Sequence, residues 1–597
     1  MSTFSASQVD LDLQRAKELY QQGKLLQAEA IYYDILERSP DNLHAIHPLG
    51  LIALETNRPE QAAILFRRAI TIDDKVRAFP NNLGHALQDL NQLDDAIESY
   101  ENAIKIDPDY ANAHYNRGVA LQALGRLDDA LSSYDKVLEL NPHDAEAYNN
   151  RGRVLEELNR LTEALASYDT ALLLRTDFAE VYSNRGNVLK KFGSLDEALE
   201  SHDRAIQLKP NYPEAYSNRG NVLHELGRFE DAIQSYDRAI QLKPDYVTAY
   251  SNRGRTLFEL KRIEEALQSY DSATRLKPDF ADAHSGKSYL LLLLGEFNRG
   301  WQIYEWRKKD TANRGGLRSF SQPEWLGDEN IAGKTLLIQC EQGLGDTIQF
   351  CRYAQLAEAR GAKVIISTQD ALMRLLKDLS PTVEIIDSSS TPANFDYHVA
   401  LLSMPLAFKT DERGIPADIP YLRAEPDRAE RWRLRLGDHG FKIGVAWQGS
   451  KLGTHFGKSF QVTWLRDISQ LPSIRLISLQ KNEGSEQVTT LPDGMKVETL
   501  GDDFDCGPDA FLDTAAVMEN LDLVITADTS IAHLAGALGR PTWVALRLVP
   551  DWRWLLDRHD SPWYPTMRLF RQQTRDDWSS VFSAMERELT RMVNGDG

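Results

Sequence analysis

The chain has 597 residues, a formal net charge of −20 and 42% hydrophobic residues, enough apolar side chain to fill cores and exclude wholesale disorder. The acidity argues against nucleic acid as the main partner, because phosphate binding needs a basic footprint. Cys340, Cys351 and Cys506 form no C-x-x-C pair and lack histidines at zinc spacing, and no run reaches the roughly 18 apolar residues of a membrane span. The N-terminus has neither a basic start nor an apolar core, so a cytoplasmic protein is expected.

From about residue 9 a period of 34 residues governs the sequence. Asn82, Asn116, Asn150, Asn184, Asn218 and Asn252 keep this phase, each two positions before a glycine, from Gly84 to Gly254. Alanines hold a second phase from Ala28 to Ala266. Aromatics hold a third, at Tyr32, Phe66, Tyr100, Tyr134, Tyr168, Tyr236 and Tyr270, with His202 as the exception. Each unit reads as two helices, for example residues 215–227 and 230–240 with a break at Leu226, Gly227 and Arg228. The small residues mark places where two helices cross closely. This pattern resembles the tetratricopeptide repeat.

The expected fold here is a right-handed α-solenoid over residues 9–309, of about eight repeats plus a divergent capping unit. In that last unit Ser288 takes the glycine phase and Gly300 the alanine phase, and residues 300–309 carry Trp301, Tyr304 and Trp306. Packing does not explain the asparagines. In this repeat the first helix lines the concave face, and a primary amide there can grip one peptide unit of an extended chain. The six therefore form a candidate acceptor-binding ladder, which resembles the asparagine ladder of nucleocytoplasmic O-GlcNAc transferases. The alternative is that each asparagine bonds its neighbouring repeat.

A linker rich in Gly, Ser, Asn and Pro covers residues 310–333. Beyond it the period vanishes. Residues 334–424 read as one αβ lobe, with strands at 334–340, 363–368, 383–386 and 397–401. Residues 425–597 read as a second, with strands at 441–447, 474–479, 496–500, 523–526 and 541–546 and a helix at 577–592. Strand–helix alternation predicts parallel sheets with helices on both faces. Two successive Rossmann-like lobes facing a cleft are the layout of GT-B glycosyltransferases.

Two strand-to-helix turns carry the candidate chemistry. The first, residues 341–346, has Gly343 and Gly345 followed by Asp346. Such a turn brings backbone N–H groups and a helix N-terminus to an anion, although no Gly-Lys-Ser/Thr follows to make a triphosphate loop. The plain reading of Asp346 is a carboxylate that stabilises the helix dipole. The second turn holds Asp528, Thr529, Ser530 and His533. It can cradle a diphosphate, or simply cap a helix beside a packed histidine. Asp503 and Asp505 mimic a metal-binding D-x-D but read as surface acid or capping. Trp552, Trp554, Trp563 and Tyr564 either stack on a base or sugar, or pack the C-terminal helix.

The segments EQGLGDTIQF, DTSIAHLAGALGRP and DWRWLLDRHDSPWYPTMRLFRQ resemble glycosyltransferase family nine, the heptosyltransferase-like GT-B enzymes. The similarity is strongest to a bacterial subgroup in which tetratricopeptide repeats precede that module. The resemblance implies a nucleotide sugar as co-substrate, with no cofactor and no metal, and an inverting single displacement. It implies Asp346 as the base, with Glu341 next in line. It implies Asp528, Thr529, Ser530 and His533, with the loop glycines Gly343 and Gly345, as donor-binding residues. Lys458 then faces the diphosphate, in competition with Lys451 and His455, at a position where relatives commonly have arginine. The implied partners are a nucleotide sugar and a protein or peptide acceptor. Two other readings stay open: a non-catalytic interaction scaffold, and a transferase acting on a polysaccharide or lipid-linked sugar.

Overall fold

A computed structural model describes residues 6–309, 317–449 and 457–594. Lys451 and His455 lie outside the described residues. The chain forms two compact units, Met1–Pro244 and Asp245–Gly597.

The first unit is seven consecutive helix pairs, from Ala6–Gln21 to Phe229–Leu242. The phases seen in the sequence are contacts. A Cβ on Gly84 would sit 2.5 Å from the Tyr100 ring, and one on Gly152 would sit 2.5 Å from Tyr168. Each glycine is thus a notch that takes the aromatic ring sixteen residues later. Tyr100, Tyr134, Tyr168 and Tyr236 are fully buried in those notches, beside Ala96, Ala130, Ala164 and Ala232. An arginine ties neighbouring repeats together. Arg185 donates to Asp169 of the preceding unit (2.6 Å) and to Ser201 of its own (2.8 Å). Arg151 and Arg219 repeat this with Asp135 and Ser167, and with Asp203 and Ser235. The helix ends follow the left-handed capping rule: Gly227 (φ 72°) closes Pro213–Glu225.

The second unit opens with four more repeat helices, Val247–Glu259, Ile263–Leu276, Ala281–Leu293 and Phe297–Tyr304, and a 3₁₀ turn, Glu305–Lys309. Two parallel sheets follow, as the strand–helix alternation predicted. The first lobe holds β1 (Thr335–Gln339), β2 (Lys363–Thr368), β3 (Glu384–Asp387) and β4 (Tyr397–Ala400) in the order β3-β2-β1-β4. The second holds β5 (Phe441–Ala446), β6 (Ile474–Ser478), β7 (Leu523–Ala527), β8 (Thr542–Leu546) and β9 (Met567–Arg571) in the order β6-β5-β7-β8-β9. Central strands are apolar because both faces are covered. Ile338 lies opposite Ile366 on one side and Val399 on the other. The C-terminal helix Trp578–Asn594 packs Phe582, Met585 and Leu589 against Ile443, Val445 and Ile525.

The fold is therefore an α-solenoid of repeats followed by an α/β module of two sheets, the arrangement of a GT-B protein. Three segments differ from the sequence reading. Residues 496–500 make no full strand, and only Glu498 bridges to Ile477. They run along the exposed edge of β6, where the exposed Glu498 carboxylate pairs with Arg475 at 2.7 Å. The strand β9 was not anticipated, since its Met567-Arg-Leu-Phe-Arg571 alternation follows a stretch dominated by aromatics and proline. Within residues 317–333, read as a linker, Trp325 is fully buried and its backbone N–H donates to the His398 carbonyl of β4 at 2.8 Å. Among the described residues no helix is long and apolar enough to cross a membrane.

Candidate active site

Both turns lie in the second unit, and they meet. After β1 the chain passes Gln342 (φ 60°) and enters helix Leu344–Phe350, where the Asp346 carboxylate accepts the Gly343 N–H at 2.9 Å. After β7, Thr529 caps helix Ser530–Ala537 by accepting the Ile531 N–H at 3.3 Å. The two helices start side by side. A Cβ on Gly345 would stand 3.1 Å from the His533 ring and 3.3 Å from the Ser530 backbone. Gly345 thus serves this close approach.

A third segment joins them. The turn Trp552–Trp554 is capped by Asp551, and it aims Arg553 at both lobes. The Arg553 guanidinium donates to Asp346, to Asp551 (2.9 Å) and, through Nε, to the Gln349 side chain (2.6 Å). The other Asp551 oxygen faces Lys458 Nζ at 3.6 Å, and Lys458 lies 3.2 Å from Asp528. Three carboxylates and two cations thus alternate: Asp346, Arg553, Asp551, Lys458, Asp528.

This arrangement sets the charge states. Burial raises the Asp346 pKa above the ordinary aspartate range, and the opposing pull of Arg553 only partly offsets it. Burial would also raise Asp551, but Arg553 and Lys458 outweigh it and hold the carboxyl well below the usual range. Burial alone would lower Lys458; Asp528 and Asp551 reverse the sign and raise it. His533 is pushed down to about 3, chiefly by burial and then by Arg553. Its neutral ring stacks on Trp554 (5.6 Å, 9°) and its Nδ1 lies 3.1 Å from the Tyr564 hydroxyl. A neutral ring can hydrogen-bond a donor but does not neutralise its phosphates.

Beside the array lies a cavity of about 750 Å³, lined by Gln448, Gly449, Lys481, Phe511, Thr529 and Ser530. Of the predicted donor residues, Thr529 and Ser530 line it. Gly343, Gly345, Lys458, Asp528 and His533 do not, nor does the candidate base Asp346.

Other candidates are committed elsewhere. Both Glu341 oxygens are engaged, by Arg307 (2.6 and 3.1 Å) and by the Leu402 N–H (3.0 Å). Asp505 accepts the Asp513 N–H at 2.7 Å and Asp503 pairs with Arg435 at 2.8 Å, so the D-x-D look-alike is a capping device. Trp552, Trp554, Trp563 and Tyr564 are buried core residues. Trp552 packs edge-on against Trp301 (5.2 Å) and Trp563 against Phe350 (5.4 Å), rather than against the C-terminal helix.

In the first unit, four of the ladder asparagines reach the preceding repeat. The amide nitrogen of Asn116 donates to Asn81 (3.1 Å), of Asn150 to Tyr115 (2.8 Å) and of Asn184 to Asn149 (3.0 Å), while that of Asn82 lies 3.0 Å from the His47 ring. Each partner stands 35 residues earlier. Asn218, on Pro213–Glu225, is half-buried. So is Asn252, on Val247–Glu259 in the second unit. The sequence reading also passed over Arg553 and Tyr289. The acid–base alternation within Asp551-Trp-Arg553 was the available signal for the first.

Comparison with known proteins agrees with this division. Models described as TPR repeat match residues 84–125, 191–227, 220–260 and 254–295, and those described as tetratricopeptide repeat match 13–80 and 120–178. The family model of glycosyltransferase family 9 (heptosyltransferase) matches residues 468–546, which include the Asp528–His533 turn. The chain is 26% identical to protein FlbA of Caulobacter vibrioides over 322 residues, covering 50% of this chain and 53% of FlbA. It thus spans about half the length of that curated relative. Among solved structures it is similar to the TPR protein YrrB (26% identity, TM-score 0.28, 31% of this chain and 96% of YrrB). It is also similar to MamA (25% identity, TM-score 0.26, 27% of this chain and 95% of MamA). The chain carries tetratricopeptide repeats through its N-terminal half and a glycosyltransferase family 9 domain in its C-terminal half.

Proposed function

We propose that the protein is an inverting, metal-independent glycosyltransferase that moves a sugar from a nucleotide-sugar donor to an acceptor hydroxyl, with the repeats capturing a protein or peptide acceptor. In this reading residues 9–309 are the capture array, 310–333 a connector, and 334–424 and 425–597 the two lobes. The observation that carries it is the meeting of the Asp346 turn and the Asp528–His533 turn beside a 750 Å³ cavity.

The donor diphosphate lies against the N-terminus of Ser530–Ala537, where the positive end of the helix dipole favours an anion. Lys458 adds a point charge nearby. Asp346, ionised, takes the proton of the acceptor hydroxyl. The acceptor oxygen bonds to the anomeric carbon as the bond to the diphosphate breaks. The diphosphate leaves with that electron pair, steadied by charges already in place. Attack opposite the leaving group inverts the centre. We place this chemistry in the cytoplasm, where the free Cys340, Cys351 and Cys506 stay reduced.

The test is calorimetric titration of the purified protein with a panel of sugar nucleotides, followed by transfer assays with whichever donor binds. Binding of at least one donor is expected. Binding of none shifts the assignment to an interaction scaffold.

A further inference from the structure

The closing repeat touches both lobes. From Ala281–Leu293, the Tyr289 hydroxyl donates 3.2 Å to Asp551 in the second lobe. From the turn Glu305–Lys309, Arg307 makes its two-pronged pair with Glu341, two residues before Gly343 in the first lobe. Between them Trp301 donates to the Thr410 carbonyl of the first lobe (2.9 Å) and packs edge-on against Trp552 of the second. Trp301 and Arg307 are buried, at 2% and 4% exposure.

We propose that Tyr289 is a positioning residue for the candidate active site, acting through Asp551; this rests on the glycosyltransferase reading. One Asp551 oxygen is held by Arg553, through its side chain (2.9 Å) and its backbone N–H (3.1 Å). The other oxygen has Lys458 only at 3.6 Å, too far to fix it. The Tyr289 hydroxyl supplies the missing hydrogen bond and stops the carboxylate from rotating. The tyrosine is itself held, since its ring stands edge-on to Phe258 at 5.5 Å. Burial also keeps its hydroxyl protonated, and so a donor. With Asp551 fixed, Arg553 is shared between two carboxylates, and Asp346 keeps its basicity. With Asp551 loose, Arg553 turns its full charge on Asp346 and Lys458 moves toward Asp528. The capping unit is thus part of the catalytic module as well as the end of the array.

The experiment uses the full chain with Tyr289→Phe, which removes one oxygen and keeps the ring. Amide hydrogen exchange is expected to quicken about threefold or more in residues 341–350 and 551–555, while the melting temperature stays within about 2 °C. Turnover is expected to fall about tenfold with donor KM within about twofold. In an Asp551→Asn background the same change should add almost nothing, because the path already lacks its middle. Unchanged exchange in both segments overturns the proposal, as does an additive loss in the double variant or a melting drop beyond about 5 °C. If the wild type binds no donor, the transferase reading fails separately, and exchange still decides the role of Tyr289.

Discussion

Arg553 in the second lobe donates to Asp346 in the first, so one guanidinium joins the candidate base to the segment Asp551–Trp554 of the other lobe. The pair is largely buried, and Asp551 shares the same cation. Removing one partner of such a cluster leaves uncompensated charge. Arg553→Ala should therefore lower the unfolding free energy by about 3–5 kcal/mol in urea denaturation. Arg553→Lys keeps the charge but loses the fork and should cost about 1–2 kcal/mol. A loss below about 1 kcal/mol for the alanine variant would show the link to be dispensable.

Asp346→Asn preserves shape and cannot accept a proton. It should cut turnover about 100-fold or more and leave donor affinity nearly intact. The base works only when ionised, and burial raises its pKa above the ordinary 3.8. Activity should then fail on acidification at a pH above that value. A pH profile of kcat/KM whose acid limb sits at or below it contradicts the assignment.

Thr529→Ala and Lys458→Ala should each weaken nucleotide binding by about 1–3 kcal/mol, the cost of a lost charge-assisted bond. Thr529 also caps its helix, so that variant should lose about 1 kcal/mol of stability besides. Calorimetry separates the two effects. Unchanged affinity in both variants rejects the placement of the diphosphate.

His202 stands in the aromatic phase that other repeats fill with tyrosine. It is fully buried and neither ring nitrogen has a hydrogen-bond partner among the described residues. Burial, aided by Lys190 and Arg219, lowers its pKa from 6.5 to about 3. The unfolded chain takes up a proton near 6.5, and the folded one resists until about 3. This site therefore has its full stability above 6.5 and loses up to about 1.4 kcal/mol per pH unit as pH falls through that window. His202→Tyr removes the loss. The variant's advantage in melting temperature should be larger at about pH 5 than at about pH 8. An equal advantage at both would refute the account.

The asparagines separate two roles. Asn150 and Asn184 each donate one bond to the preceding repeat. Replacing Asn150, Asn184 and Asn218 together by alanine should thus cost about 2 kcal/mol of stability from those two bonds alone. The geometry favours this outcome. Weaker acceptor capture with an unchanged melting temperature would instead assign the six to peptide binding.

The repeats were legible because one contact, a ring in a glycine notch, recurs every 34 residues and leaves its mark on the sequence. The central strands were legible as apolar runs. β9 and residues 496–500 were not, since both lie at sheet edges where burial dictates fewer positions. Asp346 and the Asp528–His533 segment showed themselves as strand-to-helix turns. Their partners did not. Arg553 comes from 207 residues beyond Asp346, and Tyr289 from 262 before Asp551, and no local pattern records such pairings.

The arginine ties in the first unit bear on how the array changes over generations. Arg185 binds Asp169 behind it and Ser201 ahead, and Asp135 holds the place of Asp169 one unit earlier. Recombination that excises residues 151–184 would bring Asp135 to Arg185 and recreate the same pair. Copy number in this stretch can therefore change in a whole step of 34 residues with the arginine tie kept at the junction.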